Sequence, residues 1–203
     1  RHVQEFAAHG GEKPLKWQKV AKDTWRVETD GNAQLKVSYK VYAYELTVRT
    51  SHLDGSHGYF NGATVCMYVP ERMNEPLAVD IVVPEGWKVA TGLEPVAAHP
   101  DAQGSRFSFL AEDYDELVDC PVECGTHRLL TFHVDGKEHR IVMWGRGNED
   151  EEQVVEDTQR IVEVQCELFG GLPYKHYTFI LHLADGRGGL EHRNSVTNLV
   201  DRW

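Results

Sequence analysis

The sequence predicts a mainly β protein, an antiparallel β-sandwich followed by one long helix and the first strands of an α+β domain. Three observations predict it. Short runs in the first 147 residues alternate apolar and polar side chains, the period of half-buried strands. Turn-forming dipeptides separate those runs at short intervals. A sustained helical period occurs once, late in the chain, and a further apolar strand follows it.

Taken in order, the strand-like runs are 35–44, 45–49, 64–69, 77–83, 106–110, 128–134 and 139–144. The turn signals are Asp30-Gly31-Asn32, Asp54-Gly55, Asn61-Gly62, Pro84-Glu85-Gly86 and Asp135-Gly136. Asp135-Gly136 lies between two strand-like runs and predicts a two-residue hairpin. Many short strands with frequent turns imply packed antiparallel sheets. From Asn148, read as a helix N-cap, the pattern changes. Glu149, Asp150, Glu151 and Glu152 place negative charge in a first helical turn, where the helix dipole favours it. Val154, Val155, Thr158, Ile161, Val162, Gln165, Cys166 and Phe169 then recur at helical spacing, and Gly170-Gly171 with Pro173 ends the helix. The prediction is a helix over 149–169, leaving part of its apolar face exposed as a surface for homodimer formation. The run 177–183 reads as a strand apolar on both faces, 185–189 as a flexible link, and Leu190 onward as a further strand. The expected domains are 1–147 and 148–203.

Composition narrows the function. Of 203 residues, 21 are Lys or Arg and 32 are Asp or Glu, giving a net charge of −11. That excess argues against nucleic-acid binding and against docking on anionic membranes. No run of about 18 apolar residues exists to span a bilayer. No signal peptide is visible, and because the sequence opens on Arg1 that absence carries no weight. Four cysteines, Cys66, Cys120, Cys124 and Cys166, are too sparse for a disulfide scaffold and are read as reduced thiols of a cytoplasmic protein, with a bacterial periplasm as the alternative.

The residues that carry chemistry lie near the C-terminal end, in Gly188-Gly189-Leu190-Glu191-His192. An enzyme that trims chain ends must recognise a free ammonium, and a carboxylate such as Glu191 does so by a charge-assisted hydrogen bond. An adjacent extended segment holds a peptide as an added strand, and Gly188 and Gly189 permit close approach of its backbone. Gly188, Gly189, Leu190 and Glu191 are therefore the candidate substrate-binding residues. His192, beside Glu191, is a candidate to line the same cleft. His133 and His139 are brought toward each other by the Asp135-Gly136 turn, but two imidazoles without a third ligand make a weak metal site. His52 and His57 flank a turn and are read as exposed. Trp17, Trp25, Tyr39, Tyr42, Tyr44, Tyr59, Phe60 and Trp87 offer aromatic surface, and the simplest reading is core and edge packing.

Five blocks in order resemble the glycyl aminopeptidase family of zinc metallopeptidases, in the gluzincin clan: residues 1–6 with Trp17-Gln18-Lys19, residues 53–62, residues 84–93, Asp113-Tyr114-Asp115-Glu116-Leu117-Val118-Asp119 with Pro121-Val122-Glu123, and residues 188–195. The resemblance implies an N-terminal β-sandwich preceding a thermolysin-like catalytic domain, and a hydrolase that removes small N-terminal residues such as glycine from peptides. It also implies that Asp119 and Glu123 are candidates to face the same cleft as His192. It implies zinc held by a His-Glu-x-x-His helix and a later Glu, the motif Glu acting as general base. No His-Glu-x-x-His occurs in this chain, so the resemblance places the zinc ligands outside it. The expectations are no catalytic residue and no metal in the chain itself, no peptidase activity by the chain alone, and a sequence clipped from a larger protein. The competing reading is a non-catalytic β-sandwich module binding carbohydrate or protein. It explains the strands and aromatics but not the helix or the Gly-Gly-Leu-Glu-His block.

Overall fold

The computed structural model describes residues 2–96 and 105–203, so Arg1 of the first resemblance block lies outside the described residues. The chain is mainly β, with antiparallel sheets and one long helix. Contacts divide it into two compact units, residues up to Ala43 and residues from Tyr44 onward.

In the first unit β1 (Val3–Gly10) pairs antiparallel with β2 (Lys13–Pro14) and with β5 (Lys36–Val41). β3 (Trp17–Ala21) and β4 (Thr24–Val27) form a separate hairpin. Phe6 stacks on Trp25 at 5.3 Å and meets the edge of Trp17 at 5.0 Å, so these aromatics pack on one another. The strand expected over 35–44 forms at its centre.

The second unit opens with β6 (His52–Leu53), β7 (His57–Phe60), the short helix α1 (Gly62–Val65) and a 3-10 turn at Pro70–Arg72. Two expected strands are absent here, and local hydrogen bonds explain both. Over 45–49 the Thr47 hydroxyl accepts from the backbone N–H of Arg49 and Thr50, while the Thr50 hydroxyl donates to the Glu45 carbonyl at 2.6 Å. Hydroxyl side chains have captured the backbone groups that a strand would use. Over 64–69 the Asn61 side chain caps α1 by accepting from Ala63 N–H at 3.1 Å, and Pro70 begins the following turn.

The sandwich follows. β8 (Leu77–Val82), β9 (Lys88–Thr91), β10 (Glu94–Pro95), β11 (Arg106–Ala111), helix α2 (Tyr114–Asp119) and β12 (Val122–Gly125) complete it. One sheet has the order β10-β11-β8 and the other β6-β7-β12-β9. They enclose a core of Ile81, Val83, Leu93, Phe109, Ala111, Cys120, Val122 and Cys124, with Trp87 packed against it.

The rest of the chain builds a five-stranded mixed sheet. β13 (Arg128–Val134) and β14 (Lys137–Gly145) form the expected hairpin, with Val134 opposite Lys137 and positive φ at Asp135 (52°) and Gly136 (72°), as a type I′ turn requires. Helix α3 (Glu151–Phe169) then crosses over to β15 (His176–Leu183), which lies parallel to β14. β16 (Gly188–Glu191) and β17 (Ser195–Val200) complete the order β13-β14-β15-β17-β16. The strands on either side of residue 147 thus share one sheet, which begins at Arg128. The N-cap of α3 is Asp150, not Asn148; its carboxylate accepts from Glu152 and Gln153 N–H. Glu149 and Glu151 instead pair with Arg128, each at 2.6 Å. Gly170 ends the helix in the left-handed conformation (φ 75°).

Alternation gives the sheet two faces. Ile141, Met143, Phe179, Leu181 and Leu183 join Phe132, Val134 and Val162 in a core under α3. Val142, Ile180 and Thr197, each fully buried, lie on the opposite face, toward the sandwich. The outer face of α3 leaves Ile161, Val164, Leu168 and Phe169 exposed by 60 to 76%. No helix among the described residues is long and apolar enough to cross a membrane.

Ile141 sits under α3 with no exposed surface. Ile141→Ala is expected to lower unfolding stability by about 2–5 kcal/mol, read from the denaturation midpoint, because the tight core relaxes only partly around the cavity.

Candidate functional site

β16 forms the edge of the mixed sheet. It pairs on one side with β17, Gly188 opposite Leu199 and Glu191 opposite Val196, and among the described residues its other side is unpaired. Its side chains divide by alternation. Leu190 points inward and packs with Val48, Ala184 and Leu199, which anchors the strand. Gly189 and Glu191 point to the other face, and both are exposed. The two glycines leave the strand thin. A Cβ on Gly188 would lie 3.4 Å from Val48, and one on Gly189 3.2 Å from the Asn198 side chain. The structure therefore presents a free extended backbone beside an exposed carboxylate. Of the four residues expected to line a substrate strand, Leu190 serves as its anchor.

The sandwich holds the turn that follows this strand. Asp119, the last residue of α2, places Oδ1 3.1 Å from His192 Nδ1, and its Oδ2 accepts from Arg193 N–H at 2.9 Å. Asn194 donates to the Gly92 carbonyl at 2.7 Å. Gly92 is required there, because a Cβ would lie 2.3 Å from Asn194 Oδ1. The Ser195 carbonyl accepts from both His192 N–H and the Tyr177 hydroxyl. Burial, then Tyr174, Glu191 and Asp119, push the Tyr177 hydroxyl up to about 12, so it stays a neutral donor. Asp119 and His192 do gather at the end of β16. Both oxygens of Asp119 are spent on the turn, which makes it a clasp on the strand's end. His192 Nε2 is buried without a hydrogen-bond partner.

Glu123 lies elsewhere. It was expected at the cleft, but it has no exposed surface. It lies in β12, where both neighbours, Val122 and Cys124, are also buried. Its Oε1 is 3.0 Å from His57 Nδ1, and its Oε2 is 2.9 Å from His182 Nε2. The carboxyl thus links β7 and β12 of one sandwich sheet to β15 of the mixed sheet. His57, expected to be exposed, is fully buried, with Trp144 stacked on its ring at 3.5 Å and 9°. His52 Nδ1 lies 2.9 Å from His57 Nε2. Burial raises the Glu123 pKa well above the usual carboxylate value. Burial also lowers His57 to about 4, helped by His52, and His182 to about 3, helped by His57 and His52. His133 and His139 do not face each other. His133 is opposite Glu138, while His139 stacks on Phe132 and contacts the Tyr174 hydroxyl at 3.0 Å.

Sequence reasoning missed this buried cluster. One signal was present: a histidine within the apolar run 177–183 needs a buried polar partner, and Glu123 sits in an equally apolar segment. At β16, among the described residues, no three ligating side chains converge as zinc requires. The edge strand therefore does not fit a catalytic zinc, and no step is derived through one.

Residues 1–126 match the model of the peptidase M61 N-terminal domain. The chain belongs to the peptidase M61 family. The match ends two residues before β13, where the mixed sheet begins. No curated protein matches the chain. Among solved structures, an aminopeptidase N family protein from Idiomarina loihiensis is 32% identical with a TM-score of 0.92, over 99% of this chain and 34% of that one. The M1 zinc metallopeptidase from Deinococcus radiodurans is 14% identical with a TM-score of 0.61, over 98% of this chain and 50% of that one. Its E323A mutant bound to a Tyr-Ser-Ala substrate is 15% identical, also at 0.61, over 97% and 50%. The latter two show the fold alone. The chain spans about a third of the Idiomarina protein's length.

The pH dependence of stability tests the buried cluster. His182 has a folded pKa below its unfolded value of 6.5, so its contribution is complete above 6.5 and is lost as pH falls from 6.5 toward about 3. The raised pKa of Glu123 acts in the opposite sense, its contribution declining as pH rises above 4.5. Urea midpoints measured with a chelator present should fall on acidification below pH 6.5. The fall should be shallower in His182→Gln, which keeps a donor but cannot titrate.

Proposed function

We propose that this chain carries the substrate-recognition edge of a zinc-dependent aminopeptidase that removes small N-terminal residues such as glycine from peptides. The observation that carries the reading is the unpaired edge of β16 ending in the exposed carboxylate of Glu191. A peptide laid along β16 extends the sheet by main-chain hydrogen bonds. Its N-terminal ammonium is held by Glu191. The Asp119 clasp fixes the turn after Glu191 and so limits where that ammonium sits. Membership of the M61 peptidase family supports a hydrolase. The fold shared with M1 zinc metallopeptidases supports zinc in the intact protein, on ligands outside this chain. Packing of the aromatics weighs against a carbohydrate platform. Phe6, Trp17 and Trp25 pack on one another, Tyr59 is buried, and Trp87 packs on the sandwich core, although Trp17, Tyr42 and Tyr44 keep 43, 55 and 68% of their surface exposed.

The polypeptide read to its natural stop codon should hydrolyse a glycyl-anilide, and a zinc chelator should abolish the release. Glu191→Ala should lower kcat/KM by about 10–100-fold, the loss of one charge-assisted hydrogen bond of about 1.5–3 kcal/mol. Chelator-insensitive hydrolysis, or an unaffected Glu191→Ala variant, would count against the reading. We further propose that the exposed apolar face of α3 mediates homodimer formation by the 203-residue chain. Sedimentation should show a concentration-dependent dimer that Ile161→Asp with Leu168→Asp disperses; a strict monomer removes the proposal.

A further inference from the structure

The β6–β7 hairpin carries a second set of ligating groups, remote in sequence from the Gly-Gly-Leu-Glu-His strand. His52 lies on β6, Asp54 in the turn and His57 at the start of β7, and one ligating atom from each lies within 4.8 Å of the others. We propose that His52, Asp54 and His57 form a binding site for a borderline divalent cation of the zinc class. This departs from the sequence expectation that the chain holds no metal.

Four observations carry it. First, the two imidazole donors are already adjacent. His57 Nε2 and His52 Nδ1 face each other at 2.9 Å, so at most one proton lies between them. The two nitrogens point nearly head-on, the ring centroids being 5.0 Å apart. Once that proton leaves, a cation bound to both needs them to separate by a few tenths of an ångström and each ring to turn by roughly 35°, since tetrahedral Zn–N bonds of about 2.0–2.1 Å place two nitrogens roughly 3.3 Å apart.

Second, Asp54 is preset with one oxygen spare. Its Oδ1 accepts from Ser56 N–H, Ser56 Oγ–H and His57 N–H at 2.7, 2.8 and 3.0 Å. These bonds fix the carboxylate and leave Oδ2, which makes no hydrogen bond among the described residues, to ligate.

Third, Glu123 supplies the support that metal-bound imidazoles usually have. A ligating histidine commonly donates its other ring N–H to a carboxylate, which fixes the tautomer and raises the basicity of the ligating nitrogen. His57 Nδ1 lies 3.0 Å from Glu123 Oε1, so donation there leaves the lone pair on Nε2, toward His52. Trp144, stacked on His57 and donating its N–H to Ser56 Oγ at 3.1 Å, fixes the ring plane.

Fourth, the site can be reached and its donor set selects the ion. Entry is open, because Asp54 is exposed and His52 half-buried. Two nitrogens and one oxygen suit zinc better than calcium or magnesium, which prefer all-oxygen sets. A solvent molecule is the natural fourth ligand.

The test uses the 203-residue chain, which lacks any His-Glu-x-x-His, so its outcome does not depend on the peptidase reading. The chain is stripped with a chelator and titrated calorimetrically with zinc ion. One saturable equivalent is expected, together with a rise in Tm on loading. His52→Ala and Asp54→Ala, both on the accessible hairpin, should each weaken that binding at least tenfold while leaving the circular dichroism unchanged. Glu123→Gln, which keeps the side-chain shape, should weaken it by about 10–100-fold, as losing a supporting carboxylate does elsewhere. The absence of a saturable equivalent at micromolar zinc overturns the proposal. So does binding that survives unchanged in both His52→Ala and Asp54→Ala, since the ion then sits elsewhere.

Discussion

The carboxyl of Glu123 is the constraint on which the second unit depends. A carboxyl with no exposed surface cannot remain without partners, and burying it unpaired costs several kcal/mol. Its partners come from two separate sheets, His57 from the sandwich and His182 from the mixed sheet. Apolar contact alone tolerates sliding between two sheet faces. Two short polar contacts to one carboxyl do not, because a shift of an ångström leaves a buried donor or acceptor unpaired. Tyr59 adds to the same joint, its hydroxyl donating to the Val48 carbonyl and lying 3.1 Å from Thr197 Oγ on β17. The relation between the sandwich and the sheet is thus set by polar geometry inside an apolar interior.

That joint has a consequence at the far end of the sheet. β17 is both the strand that Tyr59 reaches and the only described partner of β16. The strand offered to a peptide therefore takes its position from the buried network on one side and from the Asp119 and Asn194 contacts at its turn. An edge strand is ordinarily open to indiscriminate pairing. Here it is short, rich in glycine, and closed at one end by the clasp. In the proposed reading a peptide lies along it but not past the turn at His192, which would give a geometric basis for acting at chain ends, with the carboxylate of Glu191 where the peptide begins.

Much of the fold was legible in the sequence. The Asp135-Gly136 hairpin, the length of α3 and the strand 177–183 all followed from period and turn chemistry. So did the glycine pair before Glu191. What was illegible has identifiable physical causes. Alternation predicted a strand over 45–49, but threonine hydroxyls satisfied that backbone locally. Asn148 was read as the N-cap of α3 with the four following acids in its first turn; the cap is Asp150, and Arg128, distant in sequence, draws Glu149 and Glu151 to itself. A domain boundary was expected near 147 from the onset of the helix; that β14 and β15, on either side of it, share one sheet was not legible, since their parallel pairing leaves no local mark. Glu123 and His57 were read as surface groups because charged and imidazole side chains usually are. Only their mutual contact makes burial tolerable, and contact across 66 residues cannot be seen in one sequence.

The buried cluster and the edge strand differ in how they use charge. Glu191 is exposed and, among the described residues, unpaired, so its field reaches into solvent, as the proposed capture of a substrate ammonium requires. Glu123 has surrendered its charge to the interior and is useful only while held. A cation on the β6–β7 hairpin would act on the second and leave the first untouched. It would strengthen the His57–Glu123 contact by favouring a single tautomer of His57, and so stiffen the joint that fixes β17 and, through it, β16. Metal at the hairpin is then a means of fixing the recognition strand from a distance of two sheets, with no ligand contributed by the strand itself.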